Sequence, residues 1–475
     1  MFEKKEIAKK SVNPDRWYTD VILKSELADY SPVRGCMIIR PYGYEIWENI
    51  QNYLDKKFKE LGVKNAYFPT FIPMSFLQRE KEHVEGFSPQ LAVVTHGGGE
   101  KLSEPLAVRP TSETIMYDTY ARWIQSWRDL PLLLNLWNNV VRWEKRTYLF
   151  LRTAEFLWQE GHTAHATFDD ADTFARKILE IYTVFDEDVL ATPVLVGKKS
   201  ENEKFPGAAI TYSLEALMPD GKAIQMGTSH HLGDNFAKAF KIKYLDKNGR
   251  EQFVWQTSWA ETTRVIGAII MAHGDDQGLI LPPNIAPIQA VFVPIKLNEK
   301  VLNYCQKISQ ELVKSGIRVH IDSREEKSVG WKFHEWELKG IPIRIEIGEK
   351  EMENDELTLV RRDTGEKVKS QKSKVKSDTE RLLKEIQDNL FERMKKFRDE
   401  NTHTVSSYEE FKKIMATQKG YIYAFWCEDP VCEAKIKEET KATTRILPLD
   451  AKEEKGECVY CKKPATHRWY FAQAY

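Results

Sequence analysis

The segments NVVRWEKRTY (Asn139–Tyr148) and LRTAEFLWQEGHTAH (Leu151–His165) decide how this chain is read. Apolar residues alternate there with Arg, Glu, Trp and His. In a strand successive side chains take opposite faces, so Trp158, Glu160 and His162 share one face while Leu157 and Gln159 take the other. On the preceding strand Arg142 and Glu144 share a face, with Val141 and Trp143 behind. The connecting turn carries Lys145, Arg146 and Arg152. Paired as a hairpin, the two strands build a concave surface of cations and carboxylates backed by apolar side chains. Burying that many charges is costly unless a ligand satisfies them. The alternative is a set of exposed cross-strand ion pairs, each worth little. The Trp and His among them favour the pocket. Gly161 is expected to bulge the strand and re-aim His162. Phe156 and Leu157 read as structural support.

Composition sets the frame. A chain of 475 residues implies about three domains. Hydrophobic residues at 42% and charged residues at 30% are globular values, with apolar material for a large core. Lys and Arg number 70 against 71 Asp and Glu, so any basic surface for a polyanion must be local. The start, MFEKKEIAKKS, lacks the apolar run of a signal peptide. No stretch approaches the roughly 18 apolar residues of a membrane span. A cytoplasmic protein is the expectation.

Ile46, Ile50, Leu54, Phe58 and Leu61 recur at helical spacing, with Gly62 as the stop, and AYFPTFIP (Ala66–Pro73) follows as an extended segment. After the Pro-rich LPPNIAP, the strand QAVFVPI, a helix over Lys300–Lys314, the strand IRVHID, a helix over Lys327–Lys339 and the strand PIRIEIG alternate. That alternation describes a small α/β domain. From Arg361 to Lys376 stand seven basic and two acidic residues, which reads as a solvated face or as a surface that steers a polyanion. A further helix covers Asp378–Arg398. The boundaries expected are 1–284, 285–385 and 386–475.

Several motifs fail. His96-Gly97-Gly98-Gly99 has no G-x-S-x-G elbow to serve and reads as a turn. His334-Glu335 lacks a second histidine, since Leu338 stands there. Phosphate-binding P-loop and Rossmann glycines are missing. The cysteines hold better. Cys427 and Cys432 are followed, after 25 intervening residues, by Cys458-x-x-Cys461, spacings that fit a closed, structural four-thiolate zinc site. Four free thiols are the bland alternative.

At this point the chain resembles the class II aminoacyl-tRNA synthetases, and within them the prolyl-tRNA synthetase family. The helix from Gly43 and the strand ending at Pro69 are similar to the family's first motif, a dimer-interface element. RWEKRTYLFLRTAEFLWQEGH resembles its second motif and ETTRVIGAIIMAHGDDQGLILPP its third, with Arg264 as the motif arginine. RPTSET (Arg109–Thr114) and QMGTSHHLGDNF (Gln225–Phe236) resemble prolyl pocket segments. The resemblance implies an α/β (α+β) fold class: an antiparallel-sheet catalytic domain, an α/β anticodon-binding domain and a small zinc-binding C-terminal α/β domain.

It also implies roles. Arg142 and Arg264 would be catalytic, Arg142 bridging the substrate carboxylate and the ATP α-phosphate. Thr111 and Glu113 would receive the secondary ammonium of L-proline. Trp158, Glu160, His162 and His230 would shape its pocket, and Phe87 would close over it. Glu144, Arg152, Thr153, Gln225, Thr228, Thr262 and Arg264 would lie on ATP, with Gln225 near a Mg²⁺. From their chemistry alone, Asp322, Arg324, Glu337, Arg344 and Glu346 carry groups able to read the bases of tRNA(Pro), with a structural role as the alternative for each. C-terminal Tyr475 would tuck back toward the catalytic domain. A homodimer is implied, and the cofactor set is ATP, Mg²⁺ and structural Zn²⁺. Arg142 and Arg264 stand only 122 positions apart, which leaves no room for an editing insertion. Alanine or cysteine misactivation is therefore expected, because a missing methylene discriminates by only about 1–3 kcal/mol. Threonyl and histidyl synthetases, or an inactive synthetase-derived tRNA-binding protein, are the competing readings.

Overall fold

The structure is a computed structural model that describes residues 6–77 and 91–475, so Phe87 lies outside the described residues. Helix α1 (Pro41–Glu60) has proline in its first turn, where the missing N–H costs nothing, and Lys57 and Lys59 in its last. Its buried Ile46, Ile50, Leu54 and Phe58 form one stripe. Gly62 ends it at φ +82°, a left-handed conformation that glycine adopts without strain.

Then come β1 (Lys64–Asn65), α2 (Glu113–Trp123), β2 (Leu132–Val141), β3 (Glu155–His165), α3 (Phe168–Val184), β4 (Val194–Lys198), β5 (Ile210–Leu217), β6 (Ala223–Gly233), β7 (Trp255–Thr262) and α4 (Arg264–His273). The next unit is β8 (Ala290–Pro294), α5 (Glu299–Lys314), β9 (Val319–Ile321), α6 (Val329–Leu338), β10 (Ile343–Ile347), β11 (Glu356–Arg361) and β12 (Lys367–Gln371). Helix α7 (Val375–Glu400) leads to β13 (Thr402–Thr404), β14 (Tyr421–Trp426), α8 (Pro430–Thr440), β15 (Ala442–Pro448) and β16 (His467–Gln473).

An eleven-stranded sheet runs β13-β14-β16-β15-β4-β5-β6-β7-β3-β2-β1, antiparallel except at its two end pairs. Apolar side chains of α1, α3 and α4 cover its back in one core around Trp259, Tyr182 and Phe58. A five-stranded mixed sheet, β9-β8-β10-β11-β12, forms the second unit, with β8 parallel to both neighbours.

Three features depart from the sequence reading. β3 pairs in unbroken register with β2 and β7, so Gly161 makes no bulge. Glycine is required there for another reason: a Cβ would fall 2.0 Å from the Trp259 ring, which lies across it on the back face. The C-terminal unit does not stand apart. Its β15 pairs with β4, Leu447 opposite Lys198, and Gly197 lets the Leu447 carbonyl come within 2.2 Å of where a Cβ would sit. Helix α7 crosses position 385 without interruption. The basic run is no solvated face at its start either: Arg361 and Arg362 are buried. Arg361 forks onto Asp363 at 3.0 and 2.8 Å, and Arg362 onto Asp275 at 2.8 and 2.6 Å.

Candidate active site

Cross-strand register builds the concave face row by row. Asn138, Trp158 and Thr262 form one row, and Glu160, Ala260 and Thr228 the next. His162, Ser258, His230 and Thr211 form a third. Antiparallel partners share a face, so these side chains meet although they come from five strands.

In the second row Glu160 is buried yet thoroughly solvated by protein. It accepts from the Ser112 amide (3.1 Å) and hydroxyl, from Asn138 Nδ2 (2.9 Å), and pairs with His162 Nε2 (3.0 Å). Burial works against its charge, but these bonds hold the carboxyl below the usual range. Burial likewise opposes a charge on His162; the Glu160 bond and the Glu113 carboxylate prevail and raise its pKa. Tyr117 OH meets His162 Nδ1 at 3.2 Å, and Thr111 Oγ1 donates to Glu113. One ligand atom each of Glu113, Glu160 and His162 lies within 4.8 Å of the others, an acid-rich group suited to a single ammonium. Trp158 is fixed by Nε1 donating to Asn138 Oδ1 (2.6 Å). His230 meets Thr211 Oγ1 at 3.0 Å and packs against Phe205; burial, with the nearby His162, pushes its pKa down to about 3, so it stays neutral.

Arg142 lies over the rings of Trp158 (5.2 Å) and Phe156 (5.6 Å), with Nε donating to Pro110 O (3.1 Å). Burial lowers its pKa to about 10, with Glu113 acting against that; it remains a cation at neutral pH. Arg264 opens α4 and donates to Leu151 O (3.2 Å), with Nη1 3.5 Å from Gln225 O. Arg152 pairs with Glu144 at 2.9 Å.

Two cavities meet here. One, of about 240 Å³, is lined by Thr111, Glu113, Trp158, Glu160, His162, Gln225, Thr228 and His230. The other, of about 170 Å³, is lined by Glu144, Arg152 and Thr153. Arg142, Phe156, Thr262 and Arg264 line both. Among the described residues, every one that the sequence singled out for amino acid and nucleotide is thus brought to one face. Sequence reasoning missed Ser112 and Asn138, which clamp Glu160, and it gave Phe156 to the scaffold although that ring supports Arg142. RPTSET held the signal for Ser112; nothing local marks Asn138.

The anticodon-unit residues behave differently. Asp322 is buried, accepting from Arg324 (2.8 and 2.6 Å) and Trp336 Nε1 (2.9 Å). Arg344 bonds Glu337 (2.8 Å) and Glu346 (3.1 and 2.9 Å). These charges are matched with one another, so the geometry supports a structural part for them. Tyr475 does reach back: its amide donates to Ala223 O (3.3 Å), and Lys222 Nζ lies 4.8 Å from its ring centroid.

Far from this face, Cys427, Cys432, Cys458 and Cys461 converge, all four sulfurs within 4.8 Å of one another. Cys427 Sγ is 3.7 Å from Cys432 Sγ and 3.6 Å from Cys461 Sγ. A tetrahedral zinc with bonds of about 2.3 Å needs sulfur separations of about 3.8 Å. The thiols fit that ion.

Residues 98–273 match the family model "tRNA synthetase class II core domain (G, H, P, S and T)", and 289–388 match "Anticodon binding domain". Fold and site are those of a class II aminoacyl-tRNA synthetase. Residues 408–475 match "Prolyl-tRNA synthetase, C-terminal". The chain is 53% identical to a proline--tRNA ligase of Natranaerobius thermophilus over 99% of its length and 98% of the relative's. It is 52% identical to one of Symbiobacterium thermophilum (99% and 98%) and 53% to one of Clostridium novyi (97% and 96%). The chain belongs to the proline--tRNA ligase family. Membership makes it an aminoacyl-tRNA synthetase and disfavours the threonyl, histidyl and inactive readings.

Proposed function

We propose that this chain activates L-proline with ATP and then passes the prolyl group to the 3′ end of tRNA(Pro), on the face just described. The observation that carries the reading is the pair of cavities joined through Arg142 and Arg264. The larger, acid-lined cavity suits a secondary ammonium, received by Thr111 and Glu113, beside an apolar ring walled by Trp158 and bounded by Glu160, His162 and His230. The smaller suits the nucleotide, held by Glu144, Arg152 and Thr153, with Gln225, Thr228 and Thr262 alongside.

A proline carboxylate oxygen attacks the α-phosphorus in line, forming the P–O bond of prolyl-adenylate as the bond to pyrophosphate breaks. The carboxylate is already a nucleophile at neutral pH, so no protein base is needed. The work is positioning and charge stabilisation, for which two fixed guanidinium forks suit carboxylate and phosphate. A ribose hydroxyl of tRNA then attacks the carbonyl, and AMP leaves. Mg²⁺, held in part by Gln225, would offset phosphate charge. Proline-dependent ATP–pyrophosphate exchange tests this: the wild type exchanges, and Arg142→Ala loses about 100-fold or more. A wild type that does not exchange with proline sinks the reading.

The same proposal takes Cys427, Cys432, Cys458 and Cys461 as a structural zinc site, with about one zinc per chain in metal analysis and loss of it in Cys458→Ser. It takes 1–284, 285–385 and 386–475 as catalytic, anticodon-binding and C-terminal units, the second boundary falling within the continuous helix α7. It takes the chain to be a cytoplasmic homodimer. Exposed Tyr67 and Phe71 next to β1 support the dimer, which Tyr67→Asp should weaken in sedimentation. No helix among the described residues is long and apolar enough to cross a membrane.

A further inference from the structure

Beside the nucleotide residues, on the same face of the sheet, lies a charged contact between the C-terminal unit and the catalytic sheet. β5 is irregular between Ser213 and Glu215, and such bulges re-aim side chains beside active sites. The irregularity brings Ser213 Oγ to 3.0 Å from Glu215 Oε1 and leaves Glu215 fully buried, its register partner being Gln225 on β6. Two cations close on this carboxylate. Lys199 Nζ lies 2.5 Å from Oε1, and Arg445, on β15, forks onto Oε2 through Nη2 (2.5 Å) and Nε (3.0 Å). Arg445 is itself steadied by Nη1 donating to Thr443 Oγ1 (3.1 Å).

What stands on the other side of Glu215 is the nucleotide machinery. Gln225 lines the larger cavity, its carbonyl is 3.5 Å from Arg264 Nη1, and the Glu215 carboxylate, after Glu261, favours the Arg264 charge against burial. We propose that Arg445 is a positioning residue for the ATP half of the reaction, acting through Glu215 on Gln225 and Arg264. A buried carboxylate is held in place only by its partners. With the fork on Arg445 intact, Glu215 faces the C-terminal unit. Without it, the remaining cations are Lys199 and, beyond Gln225, Arg264. A drift toward Arg264 moves the guanidinium off the phosphates, and small misplacements at a reacting centre are costly. The C-terminal unit is therefore part of the catalytic apparatus and not an appendage.

This inference rests on the ATP-site reading above. Arg445→Lys keeps the charge but loses the fork. In the full-length enzyme it is expected to raise KM for ATP roughly three- to ten-fold in pyrophosphate exchange, leaving KM for proline and the thermal midpoint near wild type. Should that variant misfold, Arg445→Gln, which keeps one donor to Glu215 without the fork, is read the same way. An unchanged KM for ATP in the folded variant overturns the inference, and so does failure of both variants to fold, which would make the contact purely structural. Arg152→Ala is run in parallel. If it too leaves KM for ATP unchanged, the ATP-site reading has failed; if it raises that KM and Arg445→Lys does not, only this inference falls.

Discussion

Two buried glutamates on adjacent strands of one sheet have opposite fates. Glu160, on the concave face, accepts from Ser112, Asn138 and His162, and its carboxyl is held low. Glu261, whose cross-strand partner is Gln159, points to the back. Both its oxygens, like both of Asp186, lack a hydrogen-bond partner among the described residues. Burial and then the Asp186 charge push the Glu261 carboxyl well above its usual range; burial and then Glu187 do the same to Asp186. Equal burial therefore does not make equal chemistry. Donors supplied by the protein hold the Glu160 carboxyl low for a cationic ligand, while burial and the Asp186 charge push that of Glu261 up.

The strongest way to break this contrast is to remove Glu160. Glu160→Ala leaves the donors of Ser112 and Asn138 facing an apolar hole and takes a carboxylate from the ammonium pocket. Truncating one partner of a buried, hydrogen-bonded charge pair in a binding site costs about 2–5 kcal/mol, so kcat/KM for proline should fall about 30- to 4000-fold. The fall should lie mainly in proline and not in ATP. An equal loss for both substrates would mean that Glu160 serves the scaffold.

The back face should respond to pH, with a smaller amplitude. A folded-state carboxyl pKa above the unfolded value means the folded chain holds protons that the unfolded chain releases. That contribution is complete below the unfolded value of about 4.3 and is lost as pH rises through the folded one. Glu261→Gln has nothing to ionise and should gain about 1–3 kcal/mol over wild type near pH 8, a gain that shrinks toward pH 5. Thermal midpoints at the two pH values check it; a gain independent of pH would assign the effect to packing.

The difference between these two acids also marks what could be read without coordinates. Period-two alternation placed Trp158, Glu160 and His162 together, because side-chain facing in a strand is local. Strand and helix order over Gln289–Gly348 was equally visible. The donors to Glu160 were not: Asn138 and Ser112 lie 22 and 48 residues away and arrive through β2 and the start of α2. Asp186 sits in the π-turn Phe185–Val189 that ends α3, and no periodicity marks its meeting with Glu261. The bulge expected at Gly161 failed for the same reason. A glycine in a strand signals either a bulge or a close neighbour, and Trp259 is a neighbour only in three dimensions. Charges in the anticodon unit were open to base recognition or to structure, and the mutual bonds of Asp322 and Arg324 could not be read from the sequence.

The smallest effect sharpens the comparison at its solvent edge. Arg152 and Glu144 are a 2.9 Å pair, but the Arg152 side chain is 52% exposed. Water and salt screen such a pair, and removing it should change stability by less than about 0.5 kcal/mol. Arg152 also lines the smaller cavity beside Thr153 and Arg264. Arg152→Ala should therefore leave the thermal midpoint almost unmoved while raising KM for ATP, a separation of stability from binding that neither Glu160 nor Glu261 can show. Raised salt should narrow the difference in KM between variant and wild type, because the lost attraction to phosphate is itself partly screened. A midpoint that drops by several degrees with KM intact would place Arg152 with the matched pairs of the scaffold and not with the nucleotide.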